Sequence, residues 1–366
     1  MTHASSADPL LAVRGLRVGI DGTEAVRGVS FAVRPGQATA LVGESGAGKS
    51  LTARAILGLP PHGARISGSV RLDGEEIAGA GPSVYRRLWG RRIAYVPQDA
   101  LAVLSPVHTV GDQLAAAVRS VARVPRAEAR RRAVAALDGV GIADAARRAR
   151  ALPHEFSGGM RQRAVIAMAL VNGPGLIVAD EPTTALDPRV RDQVLDVLAQ
   201  ARAASGAALL LITHDLELAE TRADEAVVLY AGRVAESGPA HQVFGDPRSP
   251  YTAGLVASKL PGWRTTGTAR RGQDSLSATA RTPQAPLPAI AGTPPSPLDL
   301  PRGCAFAPRC PLAAQVCRDE EPAPAATDPA GPRTVACHRA HQLPMPAVML
   351  YDLQGLQDLQ LREPTG

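Results

Sequence analysis

The sequence predicts an α/β protein built on a largely parallel sheet, and three observations predict it. Short apolar runs alternate with longer helical patterns between residues 10 and 260. Three of those runs, Ala38–Val42, Leu176–Asp180 and Ala208–Thr213, read as buried strands. Each of the three ends in polar or glycine-rich residues, and ligands of such sheets bind beyond the carboxyl ends of the strands. At 366 residues the chain is long enough for one large domain and a smaller one.

The first buried strand runs into GESGAGKS, Gly43–Ser50, which is followed by the helical pattern LTARAILGL. A G-x4-G-K-S segment between strand and helix is a phosphate cradle. Its glycines let backbone N–H groups turn inward, and the helix N-terminus behind them adds positive potential. Lys49 is placed to reach the β and γ phosphates and Ser50 to put its hydroxyl on Mg²⁺. The predicted ATP-binding set is therefore Gly43, Glu44, Ser45, Gly46, Ala47, Gly48, Lys49, Ser50 and Leu51. A glycine-rich turn without a ligand is the plainer reading. It needs a chance match in a chain whose only lysines are Lys49 and Lys259.

Gln98, in IAYVPQD, follows a predicted edge strand and is placed to touch both Mg²⁺ and an attacking water. Residues 101–170 differ in composition. They are rich in Ala and Arg, with helical spacing at Leu114, Val118 and Val121, and Pro125 suits a first helical turn. This stretch is expected to be a helical insertion in the α/β core. Within it, FSGGM puts Ser157, Gly158, Gly159 and Met160 ahead of a helix, a second anion-binding N-terminus.

The second buried strand ends in Asp180-Glu181. Alone, such a pair is more often a helix cap or a solvated turn. Behind a phosphate loop, Asp180 is expected to hold Mg²⁺ and Glu181 to polarise a water. His214 ends the third strand, where a structural histidine is the ordinary finding. Here it is placed to bond the γ-phosphate and to hold Glu181 and the water in line. The catalytic set is thus Glu181, His214, Gln98 and Lys49, with Mg²⁺ held through Ser50, Gln98 and Asp180. The segment Val227–Gly238 reads as two short strands about a turn at Ala231-Gly232.

Residues 1–260 are expected to form the nucleotide-binding domain, 261–295 a linker without periodicity, 296–345 a small cysteine-ligated domain and 346–366 a tail. In the tail Leu350, Leu353, Leu356 and Leu359 are spaced for one short helix. The spacing Cys304-x5-Cys310-x6-Cys317-x19-Cys337 lacks the tight knuckles of structural zinc. Four thiolates at wide spacing suit a [4Fe–4S] cluster; zinc and free or disulfide-bonded cysteines are the alternatives. Arg302, Arg309, Arg318, Arg333 and Arg339 flank these positions and would offset a cluster's negative charge.

No run approaches the roughly 18 to 20 apolar residues that span a bilayer, and the first ten residues do not read as a signal peptide. A cytosolic protein is expected. The net charge of +6 is scattered, with no basic block interleaved with aromatics, so nucleic acid is not an expected partner.

With the phosphate loop, Gln98, FSGGM, Asp180-Glu181, Thr184–Asp187 (TALD) and His214 all in order, residues from Leu10 to about Leu260 resemble the ATP-binding cassette (ABC) ATPases. PQDALAVLSPVHTVGDQL, LPHEFSGGMRQRAVIAMAL, SPYTAGLVASKLP and the ending RGCAFAPRCPLAAQVC…VAC look like the dipeptide/oligopeptide and nickel importer branch.

The resemblance implies a P-loop ABC nucleotide-binding domain with a helical subdomain, on the cytoplasmic face of a bacterial cell membrane. It implies ATP sandwiched between this chain and a second, homologous ABC ATPase subunit, a heterodimer. In that arrangement Ser157, Gly158, Gly159 and Met160 meet the partner's nucleotide and Asp187 lies at the dimer loop. Two transmembrane permeases, an extracytoplasmic substrate-binding protein and an iron–sulfur cluster in the tail are also implied.

Ile20 stands where relatives carry an aromatic that stacks on adenine, and Met160 stands where many carry Gln. The rivals are a soluble non-transport ABC ATPase, an ATPase for a nickel or metal-chelate importer, and an iron–sulfur sensor whose cassette only binds nucleotide.

Overall fold

The computed structural model describes residues 8–99, 102–183, 188–258, 290–328, 331–343 and 347–351. The chain opens with a hairpin, β1 (Leu11–Ile20) and β2 (Thr23–Val33), joined through Asp21 and Gly22. Both turn residues have positive φ, 49° and 83°, as a two-residue turn matched to strand twist requires. β3 (Ala38–Val42) is buried along its whole length and leads through the glycine-rich loop into α1 (Lys49–Ile56). β4 (Arg65–Leu72) and β5 (Glu75–Glu76) follow, turning at Asp73-Gly74. These strands make an antiparallel sheet in the order β2-β1-β4-β5, so the fold is less purely parallel than the sequence predicts.

After α2 (Pro82–Leu88) and β6 (Ile93–Val96) the chain turns helical: α3 (Val110–Val121), α4 (Arg126–Gly139), α5 (Ala145–Arg148) and α6 (Gly158–Leu170). Val110, Leu114 and Val118 of α3, and Ala129, Ala133 and Leu137 of α4, are buried at a four-residue period. The two helices therefore pack on each other and on α6 along single stripes. Pro125 caps α4 from outside its first turn.

The α/β order then resumes with β7 (Leu176–Asp180), α7 (Pro188–Ser205), β8 (Ala208–Ile212), α8 (Leu216–Arg222), β9 (Glu225–Tyr230), β10 (Arg233–Pro239), α9 (Ala240–Gly245) and α10 (Pro250–Ala257). Past residue 289 come a 3-10 turn at Ala307–Arg309, α11 (Gln315–Asp319), β11 (Ala325–Ala326), β12 (Thr334–Val335) and a 3-10 turn at Ala347–Tyr351. That last turn includes buried Leu350, whereas Leu353, Leu356 and Leu359 lie outside the described residues.

The main sheet has eight strands in the order β11-β12-β10-β9-β3-β8-β7-β6. From β9 to β6 every pairing is parallel, whereas β10, β12 and β11 are antiparallel additions at one edge. Alternate side chains of the central strands serve opposite faces. Ile177, Ala179, Leu209 and Leu211 pack toward the helical layer, and Leu176, Val178, Leu210 and Ile212 toward the antiparallel sheet and α1.

Among the described residues, the cysteine-bearing segment packs its apolar side chains against this body. Its Ala305 and Phe306 share one apolar cluster with Tyr230 and Phe244 and with Tyr251 of α10. β12 pairs with β10, and beside that pairing Glu236, fully buried, accepts hydrogen bonds from the Arg333 guanidinium and from the amides of Arg248 and Ser249.

Candidate functional site

β3, β6, β7 and β8 run parallel, so their carboxyl ends open at one edge of the sheet, and every catalytic residue predicted from sequence follows one of them. Beyond β3 the loop Gly43–Ser50 is shaped by glycines at φ 149°, 81° and 96° (Gly43, Gly46 and Gly48). A Cβ on Gly43 would lie 2.2 Å from the Leu229 carbonyl oxygen, so no other residue fits there. Gly48 begins α1 without a side-chain cap, leaving the first amides of the helix to face an anion. Lys49 Nζ folds back to donate to the carbonyls of Gly43 and Glu44 at 2.8 and 2.9 Å. Its burial lowers the ammonium pKa, opposed by the nearby Glu181, Asp180 and Glu44 carboxylates.

Ser50 Oγ donates to Asp180 Oδ1 at 3.0 Å, uniting helix α1 with the end of β7. Desolvation raises the Asp180 pKa, and the Ser50 hydrogen bond works against that shift. Paired hydroxyl and carboxylate oxygens suit a hard cation such as Mg²⁺. Tyr95 of β6 approaches the other Asp180 oxygen at 3.5 Å.

Glu181 leaves β7 in the left-handed region, φ 47°, with its N–H bonded to Ile212 O on β8 at 2.9 Å. Its carboxylate accepts from Gln98 Nε2 at 3.1 Å, and His214 Nδ1 lies 3.1 Å from its other oxygen. The ends of β6, β7 and β8 thus bring Gln98, Glu181 and His214 into one cluster. His214 is held by the turn after β8, where Thr213 Oγ1 accepts from the Asp215 N–H and Asp215 caps α8.

Ser157 caps α6, its Oγ accepting from the Met160 N–H at 3.3 Å, and Ser157 and Gly158 are exposed. Gly159 is fixed by packing, since a Cβ there would lie 2.4 Å from Val190 Cγ1 of α7. α6 packs on α3, α4, α7 and β6, whereas α1 packs on β1, β2, β7 and β8. Among the described residues no hydrogen bond joins Phe156–Met160 to Gly43–Leu51. Thr184–Asp187 lie outside the described residues. Ile20 closes the β1–β2 hairpin opposite Thr23.

Cys304, Cys310, Cys317 and Cys337 are all free and all line one cavity of about 60 Å³, together with Tyr251 and Phe306. Burial, reinforced by the neighbouring cysteines, pushes the Cys310 thiol up to about 12 and Cys337 up to about 11. Among the described residues no three His, Cys, Asp or Glu side chains close on a single-ion site. A zinc ion needs its ligands converged at about 2.0–2.3 Å from one point, so the arrangement does not fit zinc as it stands. Four cysteines around one cavity match, in number, the thiolates that a four-iron cluster takes.

The sequence reading missed two groups that hold the phosphate loop. Tyr251 Oη accepts the Glu44 N–H, and Arg309 grips the Glu44 carboxylate. Pairs 207 and 265 residues apart leave no periodic signal that a single sequence could reveal.

The ABC transporter family model matches residues 26–184, and the model for the C-terminal region of oligopeptide/dipeptide transporters matches residues 235–284 and 273–317. The oligopeptide transport ATP-binding protein OppD of Mycobacterium tuberculosis is 47% identical over 319 residues, which cover 86% of this chain and 49% of OppD. The chain therefore spans about half the length of that relative. A Brucella melitensis protein that carries the name of a peptide import ATP-binding protein is 42% identical, covering 87% of this chain and 94% of its own length. Among solved structures, an ATP-binding subunit of an ABC transporter superposes with a TM-score of 0.54 at 33% identity, over 64% of this chain and 91% of that one.

Proposed function

The chain belongs to the ABC transporter family, with the C-terminal region of its oligopeptide/dipeptide branch, and on that premise we propose that it is the ATP-hydrolysing subunit of a peptide importer. One observation carries the proposal: Gln98, Glu181 and His214 meet at the strand ends, and Asp180 beside them is bonded to Ser50 of the phosphate loop.

Lys49 and the amides of Gly43–Ser50 bind the β and γ phosphates; Ser50, Asp180 and Gln98 would hold Mg²⁺, which would supply charge to offset that of the phosphates. Glu181 orients a water in line with the γ-phosphorus and accepts its proton. A bond forms from the water oxygen to phosphorus as the bond to the β–γ bridging oxygen breaks, releasing ADP and phosphate. His214 holds the Glu181 carboxylate and supports the γ-phosphate. Ser157, Gly158, Gly159 and Met160 face the nucleotide of a second ABC ATPase subunit, and Asp187 lies at the loop between the two. Two permeases and an extracytoplasmic binding protein complete the importer, with this chain on the cytoplasmic face of the membrane. Exposed Ser157 and Gly158, on a helix packed away from α1, support this two-chain site. Cys304, Cys310, Cys317 and Cys337 would hold a [4Fe–4S] cluster, which would tie their segment together.

Glu181→Gln is expected to keep ATP binding and lower hydrolysis by about 10²- to 10⁴-fold. Unchanged hydrolysis would remove the assigned role. Protein isolated without oxygen should carry iron and sulfide in equal amounts; stoichiometric zinc, or no metal, would contradict the cluster.

A further inference from the structure

Glu44 is the second residue of the phosphate loop, and each polar group it carries is held from a different place. Its N–H donates to Tyr251 Oη at 2.9 Å, and its carbonyl accepts from Lys49 Nζ at 2.9 Å. Its carboxylate receives both terminal nitrogens of Arg309, at 2.7 and 3.0 Å. Arg309 lies within the cysteine-bearing segment, next to Cys310, and is itself fixed. Its Nε donates to Ala291 O at 2.9 Å, one Nη reaches Tyr230 Oη at 3.2 Å, and its side chain is only 6% exposed. The guanidinium carbon stands 5.9 Å from the ring centres of both Tyr230 and Phe306.

Two consequences follow from charge and geometry. A bare Glu44 carboxylate on this loop would repel the triphosphate that the loop receives, and partial burial weakens solvent screening of that repulsion. A two-pronged guanidinium neutralises the carboxylate and also fixes its direction, which a lysine could not do equally well. Pinning Glu44 at amide, carbonyl and carboxylate also pre-forms a loop that its glycines would otherwise leave free.

We propose that Arg309 is a positioning residue of the ATP site, through which the cysteine-bearing segment braces the phosphate loop and sets its affinity for nucleotide. The proposal rests on the reading of Gly43–Ser50 as an ATP site. The two regions are then energetically linked, and the linkage is reciprocal: nucleotide binding stabilises the packing of the cysteine segment.

The test is titration of the full chain with a fluorescent ATP analogue and Mg²⁺, alongside KM and kcat for ATP. Arg309→Met is expected to weaken nucleotide affinity and raise KM by about tenfold, the loss typical of a charged hydrogen-bonded pair, with a smaller change in kcat. Arg309→Lys should recover part of the loss. Because the two groups share one interaction, Glu44→Gln combined with Arg309→Met should bind no more weakly than Arg309→Met alone. If Arg309→Met fails to fold, the lysine variant and Glu44→Gln carry the test, each weakening affinity. Wild-type affinity in Arg309→Met or in both milder variants, or losses that simply add, would overturn the proposal. A wild-type chain that binds no nucleotide would instead overturn the ATP reading beneath it.

Discussion

Glu181 shows how the site is set residue by residue. Left-handed backbone costs a residue with a Cβ about 1–2 kcal/mol, yet the bond from its N–H to Ile212 O holds the turn in place. That bond ties the end of β7 to the end of β8, where the His214 ring meets the Glu181 carboxylate. Gly43 is constrained in the opposite sense, by lack of room. Gly43→Ala would drive a methyl into the Leu229 carbonyl. It is expected to cost about 2 kcal/mol or more and to abolish ATP binding, read by thermal melting and nucleotide titration.

Lys49 gives a prediction in pH. Its pKa in the empty loop is lowered by burial, and bound phosphate raises it again. Between the two values binding takes up a proton, so ATP affinity should fall as pH rises into the alkaline range. Calorimetry in buffers of different ionisation enthalpy would detect the uptake; a pH-independent affinity across that range would contradict it. Lys49, Asp180 and His214 were legible in sequence because each ends a contiguous apolar run or motif. Glu181 was legible in the same way, but its left-handed backbone was not, because a residue other than glycine does not announce such backbone in advance.

At the scale of elements, the buried central strands were the most legible, since unbroken apolar runs leave little choice of environment. Strands β7 and β3 match the expected bounds, and Val227–Gly238 falls within the pair β9 and β10. The hairpin of β1 and β2 escaped the sequence reading, although Asp21-Gly22 carries its turn signal. The attachment of β12 to β10 was illegible because it joins residues far apart in the chain, as does the buried ion pair beside it, which spans 97 residues. Glu236 is fully buried against Arg333, so removing one partner leaves an uncompensated charge. Arg333→Met is expected to cost about 3–5 kcal/mol, and Glu236→Gln in the same chain should recover part of that loss. Melting curves of the single and double variants decide it; equal losses would show that the charge itself does not matter.

At the scale of the whole molecule, a parallel sheet gathers the Gly43–Ser50 loop and the Gln98, Glu181 and His214 side chains at its edge, while the Ser157 helix start lies in the helical layer. The central claim is that hydrolysis needs a second ATPase subunit to bring its own Ser157-type loop to this chain's ATP. The most direct measurement isolates the chain from membranes with whatever accompanies it and assays vanadate-sensitive ATP hydrolysis before and after separation. Two permeases and a second ATPase in the complex, with turnover that collapses when the chain is separated, is the predicted result. Full-rate hydrolysis by the separated chain as a monomer would contradict the account.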